Sequence, residues 1–433
     1  MSPSDSPSRA VRPVSAPSPG ARAALSCAAA AGMFLLFSLA YWPLRLGAPP
    51  LGALRPFRPG PEAGLFGLGG PGVYLLAGGI AFAVTAALVP VFRRMALRIG
   101  MLDAPSEARK VHRNPVPYLG GLALYGGFLA WVLAVQALAP GYAHPSFHTL
   151  AAVGAGVVVL GAADDALGLP AWFKLAVELA LGAALYFFGF GVRELMDPLG
   201  GVVHIGWFAV AVASLWVAGL MNAVNFVDGL DGLAAGVTAL CALSLLAVGL
   251  RNDQVLSVML MSGLLGMTAA FLLFNFHPAS IFMGDAGALF LGLVIGAATL
   301  VEEQKGAAVI ALAAPMTALA VPLADTALSF ARRLARARRG GFFEPDRAHL
   351  HHRLLALGLG HRGAVLVLYA VTAAMGPLAW VVDGMSPARR YPLLALPVGV
   401  LTLSVLALRR AEGRRKNAEG KRDDAGDSGN AGA

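Results

Sequence analysis

Apolar residues along this chain come in long blocks, and polar residues come in short knots between them. The blocks run at about 23–44, 73–94, 118–139, 149–163, 172–190, 207–224, 233–250, 255–275, 287–301, 306–330, 364–383 and 391–408. Most approach the roughly 20 residues that a helix needs to cross a bilayer. The pattern predicts an all-α, polytopic helical membrane protein with about 11 to 12 transmembrane helices. A soluble domain with a large core is the competing reading, and it does not account for so many apolar runs of this length.

The flanks read differently. Residues 1–22, rich in Ser and Pro, predict a disordered N-terminus. The block at 23–44 is long for the apolar core of a signal peptide and is read as an extra N-terminal span. Residues 45–72 form a Pro/Gly-rich connector, 73–408 the membrane-embedded domain, and 409–433 a polar tail. No internal repeat is visible, so the inverted-repeat mark of many transporters is missing.

Composition supports the membrane assignment. Of the 433 residues, 57% are hydrophobic and 13% charged, about half the charged share of a soluble domain. Cys27 and Cys241 both lie in apolar blocks, with no spacing for zinc or a disulfide framework. The net charge of +9 does not call for nucleic acid, because the basic residues are sorted by loop. With alternating spans, the loop at 93–117, the loop at 331–363 and the tail hold 21 Lys and Arg on one side, against 8 in the intervening connections. The basic side is therefore expected in the cytoplasm.

The same alternation brings five polar motifs to that side: "RKVHRNPVPYLGG" (109–121), "DD" (164–165), "NAVNFVDGLDG" (222–232), "FHPASIFMGDAG" (276–287) and "DRAHLHHRL" (346–354). Asn222, Asn225, Asp228 and Asp231 recur every third residue. At 100° per residue they cannot share one helix face, so the helix is expected to end near Asn225 and open into a Gly-rich turn. Asp164 and Asp165 close another span, where two acids repel each other and the helix dipole. Water, a metal or Lys174 would have to neutralise them. Asp285 alone could be an ordinary helix N-cap. With four other aspartates at the same edge it reads as part of a hard-cation site, which suits magnesium, with manganese as the alternative. His349 and His352, three apart, and Arg353 suit a phosphate-rich substrate better than zinc, which lacks a third well-spaced ligand. Lys110 and His112 add to the same positive rim.

These motifs, in this order, resemble the polyprenyl-phosphate N-acetylhexosamine-1-phosphate transferases over about residues 75–410. The resemblance implies a magnesium-dependent phosphotransferase of the bacterial inner membrane. It would move a sugar phosphate from a UDP-N-acetylhexosamine to undecaprenyl phosphate and release UMP. It implies Asp285 as magnesium ligand, with Asp228 and Asp231 beside it, and Asp164 and Asp165 as the acidic pair that orients or deprotonates the lipid phosphate. Asn222 and Asn225 would help shape the nucleotide and metal site. Asn275 and Phe282 would lie near the uridine, and His349, His351, His352 and Arg353 near the donor phosphates and sugar. Some members carry a Lys three residues after the acidic pair, where Gly168 stands here, and Lys174 is the candidate to replace it.

Within the family, the branch that uses UDP-MurNAc-pentapeptide carries three successive histidines followed by an acid. The run "HLHHRL" departs from that and resembles the branch that primes other envelope glycans from UDP-GlcNAc. A phospho-MurNAc-pentapeptide transferase is the alternative. From other classes, a secondary transporter would place its charges near the bilayer midplane, and a non-catalytic scaffold would not need five aspartates at one interface. The bilayer is the expected setting, and a homodimer is compatible with the sequence.

Overall fold

The protein is described here from a computed structural model covering residues 27–28, 70–103, 115–191, 194–196, 202–300, 313–323, 325–327, 329 and 350–385. Among these residues, seven helices are long and apolar enough to cross a membrane. They are α1 (Gly70–Ile99), α2 (Gly120–Leu138), α3 (Pro145–Leu167), α5 (Phe208–Val227), α6 (Leu233–Arg251), α7 (Val255–Asn275) and α11 (His361–Asp383). Two 17-residue helices, α4 (Ala171–Phe187) and α8 (Gly284–Leu300), join them. Shorter helices α9 (Ala313–Ala318) and α10 (Leu350–Ala356) follow α8 in the chain. The fold is a multi-pass helical membrane bundle.

These nine helices fall on nine of the expected blocks. The block at 23–44 apart from residues 27–28, the block at 391–408, residues 306–312, and the flanks at 1–22, 45–69 and 409–433 lie outside the described residues. The all-α expectation holds for the bundle, with one small addition. Two antiparallel ribbons interrupt the helices: β1 (Leu102–Asp103) with β2 (Val116–Pro117), and β3 (Glu194–Met196) with β4 (Val202–His204). Strands of two or three residues carry no detectable alternation, so the hydrophobic pattern was blind to them.

α8 is the centre of the bundle. From Ala286 to Leu300 every residue is buried, as a helix apolar on all sides must be. α5, α3 and α2 pack around it, while α1 packs on α7 and α2, and α11 on α6. Close approach relies on missing side chains: a Cβ at Gly292 of α8 would sit 2.5 Å from the Met221 Cα of α5. In lipid, where burial of apolar surface drives little association, such backbone contact is what packs helices together. α1 and α11 form the rim and expose Leu75, Val91, Leu366 and Trp380 outward.

The up-and-down order has one consequence for chemistry. The C-termini of α1, α3, α5 and α7 and the N-termini of α2, α4, α6, α8 and α11 meet at one end of the bundle.

Candidate active site

At that end lies a cavity of about 490 Å³, lined by Asp165, Asn225, Asp228, Asp231, Asn275, Phe282, Asp285 and His352 of the expected residues. Asp103, Tyr118 and His361 also line it.

The acidic pair works in two directions. α3 stops because Gly168 adopts a left-handed conformation, and its N–H closes on the Asp164 carbonyl at 2.8 Å. The Asp164 side chain accepts the Leu169 N–H at 2.7 Å through Oδ1 and meets Lys174 Nζ at 2.5 Å through Oδ2. Lys174, in the first turn of α4, also reaches Asp285 Oδ2 at 3.1 Å. One ammonium thus bridges carboxylates 121 positions apart in the chain, where two acids at a helix C-terminus would otherwise repel. Asp165 turns the opposite way. It accepts the N–H groups of Asp285 at 2.9 Å and Ala286 at 3.4 Å, capping α8 from another helix. The cap of α8 therefore comes from Asp165 and not from Asp285. Because Asp165 supplies the cap, the Asp285 carboxylate stays in the cavity, where Asn225 Nδ2 donates to it at 3.3 Å.

Gly284 makes this possible. Its φ is +66°, and a Cβ there would lie 2.5 Å from Asp165 Oδ2. The glycine pair of "PYLGG" has a related purpose. Gly120 and Gly121 donate to the carbonyls of Phe282 and Met283, each at 2.9 Å, and a Cβ on either would collide with that segment. The β2–α2 junction therefore clamps the "FMGD" loop directly.

α5 continues to Val227 and ends on Asp228, two residues beyond the expected stop. Asn222 is a correction. It lies outside the cavity, one turn deeper in α5, and donates to the buried Glu178 carboxylate of α4 and to the Ala218 carbonyl. The three-residue step rotates it off the face that carries Asn225. Asp228 is half-buried at the cavity wall. Burial first, then the Asp285 and Asp231 carboxylates, push its carboxyl up to about 7.

Asp231 is engaged by two histidines. Its Oδ2 accepts from His277 Nδ1 at 2.7 Å and from Ala279 N–H at 3.1 Å, and its own N–H donates to His361 Nε2 at 2.9 Å. Ligand atoms of Asp231, His277 and His361 lie within 4.8 Å of one another. Such a mixed set suits a borderline metal and not magnesium. Asn275 lines the cavity, but both ends of its amide are spent on backbone: Oδ1 accepts from Gly232 N–H at 3.0 Å and Nδ2 donates to the Ile281 carbonyl at 2.9 Å.

Of the histidine motif, His352 reaches the cavity. His351 is buried behind it, against Gly229, where a Cβ would lie 2.2 Å from its Nε2. Arg353 is not among the cavity-lining residues. Lys110, His112 and His349 lie outside the described residues. Asp103, Tyr118, Glu178, His277 and His361 were missed. Tyr118 and His277 sat inside motifs already singled out, while Glu178 and His361 lie in or beside apolar blocks and carry no local signal.

Five carboxylates line the cavity, and burial, with Asp285 and Asp231 beside it, pushes the Asp228 carboxyl up to about 7; a hard divalent cation would relieve that repulsion. Asp165 is committed to the α8 terminus and Asp231 to its histidines. Asp228 and Asp285 are the pair whose carboxylates could take up a divalent cation.

A membrane bundle with a recessed acidic cavity at one end, a bridging lysine and an aromatic on the wall defines a class: membrane enzymes acting on anionic, phosphate-bearing substrates. Comparison with known proteins narrows it. Residues 147–302 match the family described as glycosyl transferase family 4. A probable undecaprenyl-phosphate N-acetylglucosaminyl 1-phosphate transferase of Bacillus subtilis is 37% identical over 298 residues, covering 67% of this chain and 81% of that protein. A decaprenyl-phosphate N-acetylglucosaminephosphotransferase of Mycolicibacterium smegmatis is 38% identical over 321 residues, 66% of this chain and 77% of the relative. A phospho-N-acetylmuramoyl-pentapeptide-transferase of Desulforudis audaxviator matches over a shorter stretch, 35% over 256 residues, 53% of this chain and 77% of its own length. The chain belongs to the polyprenyl-phosphate N-acetylhexosamine-1-phosphate transferase family.

Proposed function

We propose that this protein transfers GlcNAc-1-phosphate from UDP-GlcNAc to undecaprenyl phosphate, at the cytoplasmic face of a bacterial inner membrane. The observation that carries the reading is that Asp285, which lines the cavity with Asp228, is tied to Asp164 through the Lys174 ammonium. A phosphoryl-transfer site needs charge held in place more than it needs a covalent apparatus.

In the reaction, an oxygen of the lipid phosphate bonds to the sugar-bearing β-phosphorus of the donor. The bond from that phosphorus to the α–β bridging oxygen breaks, and UMP leaves with the oxygen. Asp228 and Asp285 would hold the magnesium ion, which when bound supplies positive charge to the donor phosphates. Lys174 supplies a fixed cation where a lipid phosphate could approach the acidic pair. Asp165 keeps Asp285 in register by gripping the α8 terminus. Phe282 and Tyr118 offer aromatic faces suited to the base.

The GlcNAc donor is favoured over UDP-MurNAc-pentapeptide by the interrupted "HLHHR" run and by the longer matches to GlcNAc-phosphate transferases. Purified protein with magnesium, undecaprenyl phosphate and each donor in turn decides the matter. UMP and lipid-linked GlcNAc are expected from UDP-GlcNAc alone. Lipid-linked MurNAc-pentapeptide without lipid-linked GlcNAc would assign the other branch. Absence of both products, where a known family member works, would return the transporter reading.

A further inference from the structure

His277 and His361 were not among the expected site residues, yet both act on one residue of the cavity wall. Asp231 offers a backbone donor and a side-chain acceptor, and each is met by a different imidazole. A backbone N–H can only donate, so His361 Nε2 must present its lone pair and its proton must sit on Nδ1. A carboxylate accepts, so His277 carries its proton on Nδ1. The two rings stack at 4.3 Å with 20° between their planes. These commitments also argue against an open metal site. The one nitrogen lone pair aimed at the group is occupied by an N–H, and the other nitrogen holds a proton.

The same helix end makes two further contacts. Arg362 Nη2 donates to the His277 carbonyl at 3.1 Å, and Tyr369 OH, two turns on, donates to the Gly232 carbonyl at 2.5 Å. Gly236 leaves the room: a Cβ there would lie 1.9 Å from the Tyr369 hydroxyl. Three residues of α11 therefore hold the Asp228–Gly232 turn and the loop after α7 together. His361 Nδ1 is buried without a partner among the described residues, a cost that the fold carries to keep this tautomer.

We propose that His361 and Tyr369, with His277, are positioning residues for the donor side of the cavity: they fix the Asp231 turn so that the nucleotide half of the UDP-sugar is seated. The inference rests on the UDP-sugar reading. It assigns no role to these residues on the lipid phosphate, whose expected groups, Asp164 and Lys174, they do not touch.

The test uses the full chain in detergent, as wild type, His361→Ala, His361→Gln and Tyr369→Phe. Loss of one neutral hydrogen bond predicts a rise of about five- to tenfold in KM for UDP-GlcNAc in His361→Ala and Tyr369→Phe. kcat and the KM for undecaprenyl phosphate should stay within about twofold, the pattern of lost substrate binding. His361→Gln, whose amide oxygen can accept the Asp231 N–H, should recover most of the donor KM. UDP affinity measured by calorimetry should follow the same order. Unchanged donor KM and UDP affinity in both His361→Ala and Tyr369→Phe would overturn the proposal. So would an equal fall in kcat with lipid and donor KM unmoved. If His361→Ala fails to fold, Tyr369→Phe and His361→Gln decide. If wild type releases no UMP, the donor reading falls, and UDP binding by the variants still judges the clamp.

Discussion

Asp285 lies where two basic or amide donors and a neighbouring acidic pair meet, and its replacement isolates charge from shape. Asp285→Asn keeps the size and the N–H that Asp165 grips at 2.9 Å, but removes the anion that Lys174 and a divalent cation require. Turnover is expected to fall by on the order of a thousandfold, the scale of a lost electrostatic stabiliser, while insertion and melting temperature change little. Near-normal UMP release at saturating magnesium would take Asp285 off the catalytic list. Asp228 supports a different test. Its carboxyl titrates at about 7 in the folded protein and near 3.9 when unfolded. The folded state therefore holds the proton more tightly, and stability drains away as pH rises between those values. Metal-free Asp228→Asn should melt higher than wild type at pH 8, with the gap closing toward pH 4, yet turn over poorly with magnesium. A variant that melts lower than wild type at pH 8 would show that Asp228 is not an electrostatic burden in the fold.

At the scale of elements, the site is a set of helix ends and not a set of helix faces. α3 caps α8 through Asp165, the β2–α2 junction pins the loop before α8, and α4 sends Lys174 back to both carboxylates. Gly284 is where these constraints cross, with a positive φ and no room beside Asp165. Gly284→Ala should cost about 1–3 kcal/mol, the scale of a strained backbone position, and displace Asp285. Turnover should fall on the order of a hundredfold, with a lowered melting temperature. Gly79→Ala in α1, where a Cβ meets nothing within 4 Å, is the control and should match wild type in both assays. If the two alanine variants behaved alike, the crowding at Gly284 would have no functional meaning.

For the whole molecule the consequential quantity is orientation. All the described cavity residues sit at the end toward which the basic loops were assigned. At the other end Arg251 holds α6 to α11 through the Trp380 carbonyl at 3.0 Å, and Asn252 donates to Asp383 at 2.9 Å. In a background without Cys27 and Cys241, Ala356→Cys at the cavity end should be shielded from an impermeant thiol reagent in intact cells. Asp253→Cys at the opposite end should label. The reverse result would place the cavity outside, where no UDP-sugar is available. Ser106, Ala348 and Ala425, natural choices from the loop charges, lie outside the described residues.

Period and block length alone determined the membrane class and nine of the helices, because apolar length is a property of local sequence. Order and spacing of the motifs also pointed to the family. Only the tertiary structure decided which polar group meets which. Asn222 belongs to the same repeat as Asn225 but rotates away to satisfy Glu178. Asp165 and Asp164 are adjacent, yet one caps a helix and the other binds a lysine. His361 begins an apolar helix and reaches Asp231 from 130 positions away. Hydrogen bonds are set by distances between chain segments far apart in sequence, and a one-dimensional pattern contains no such distances.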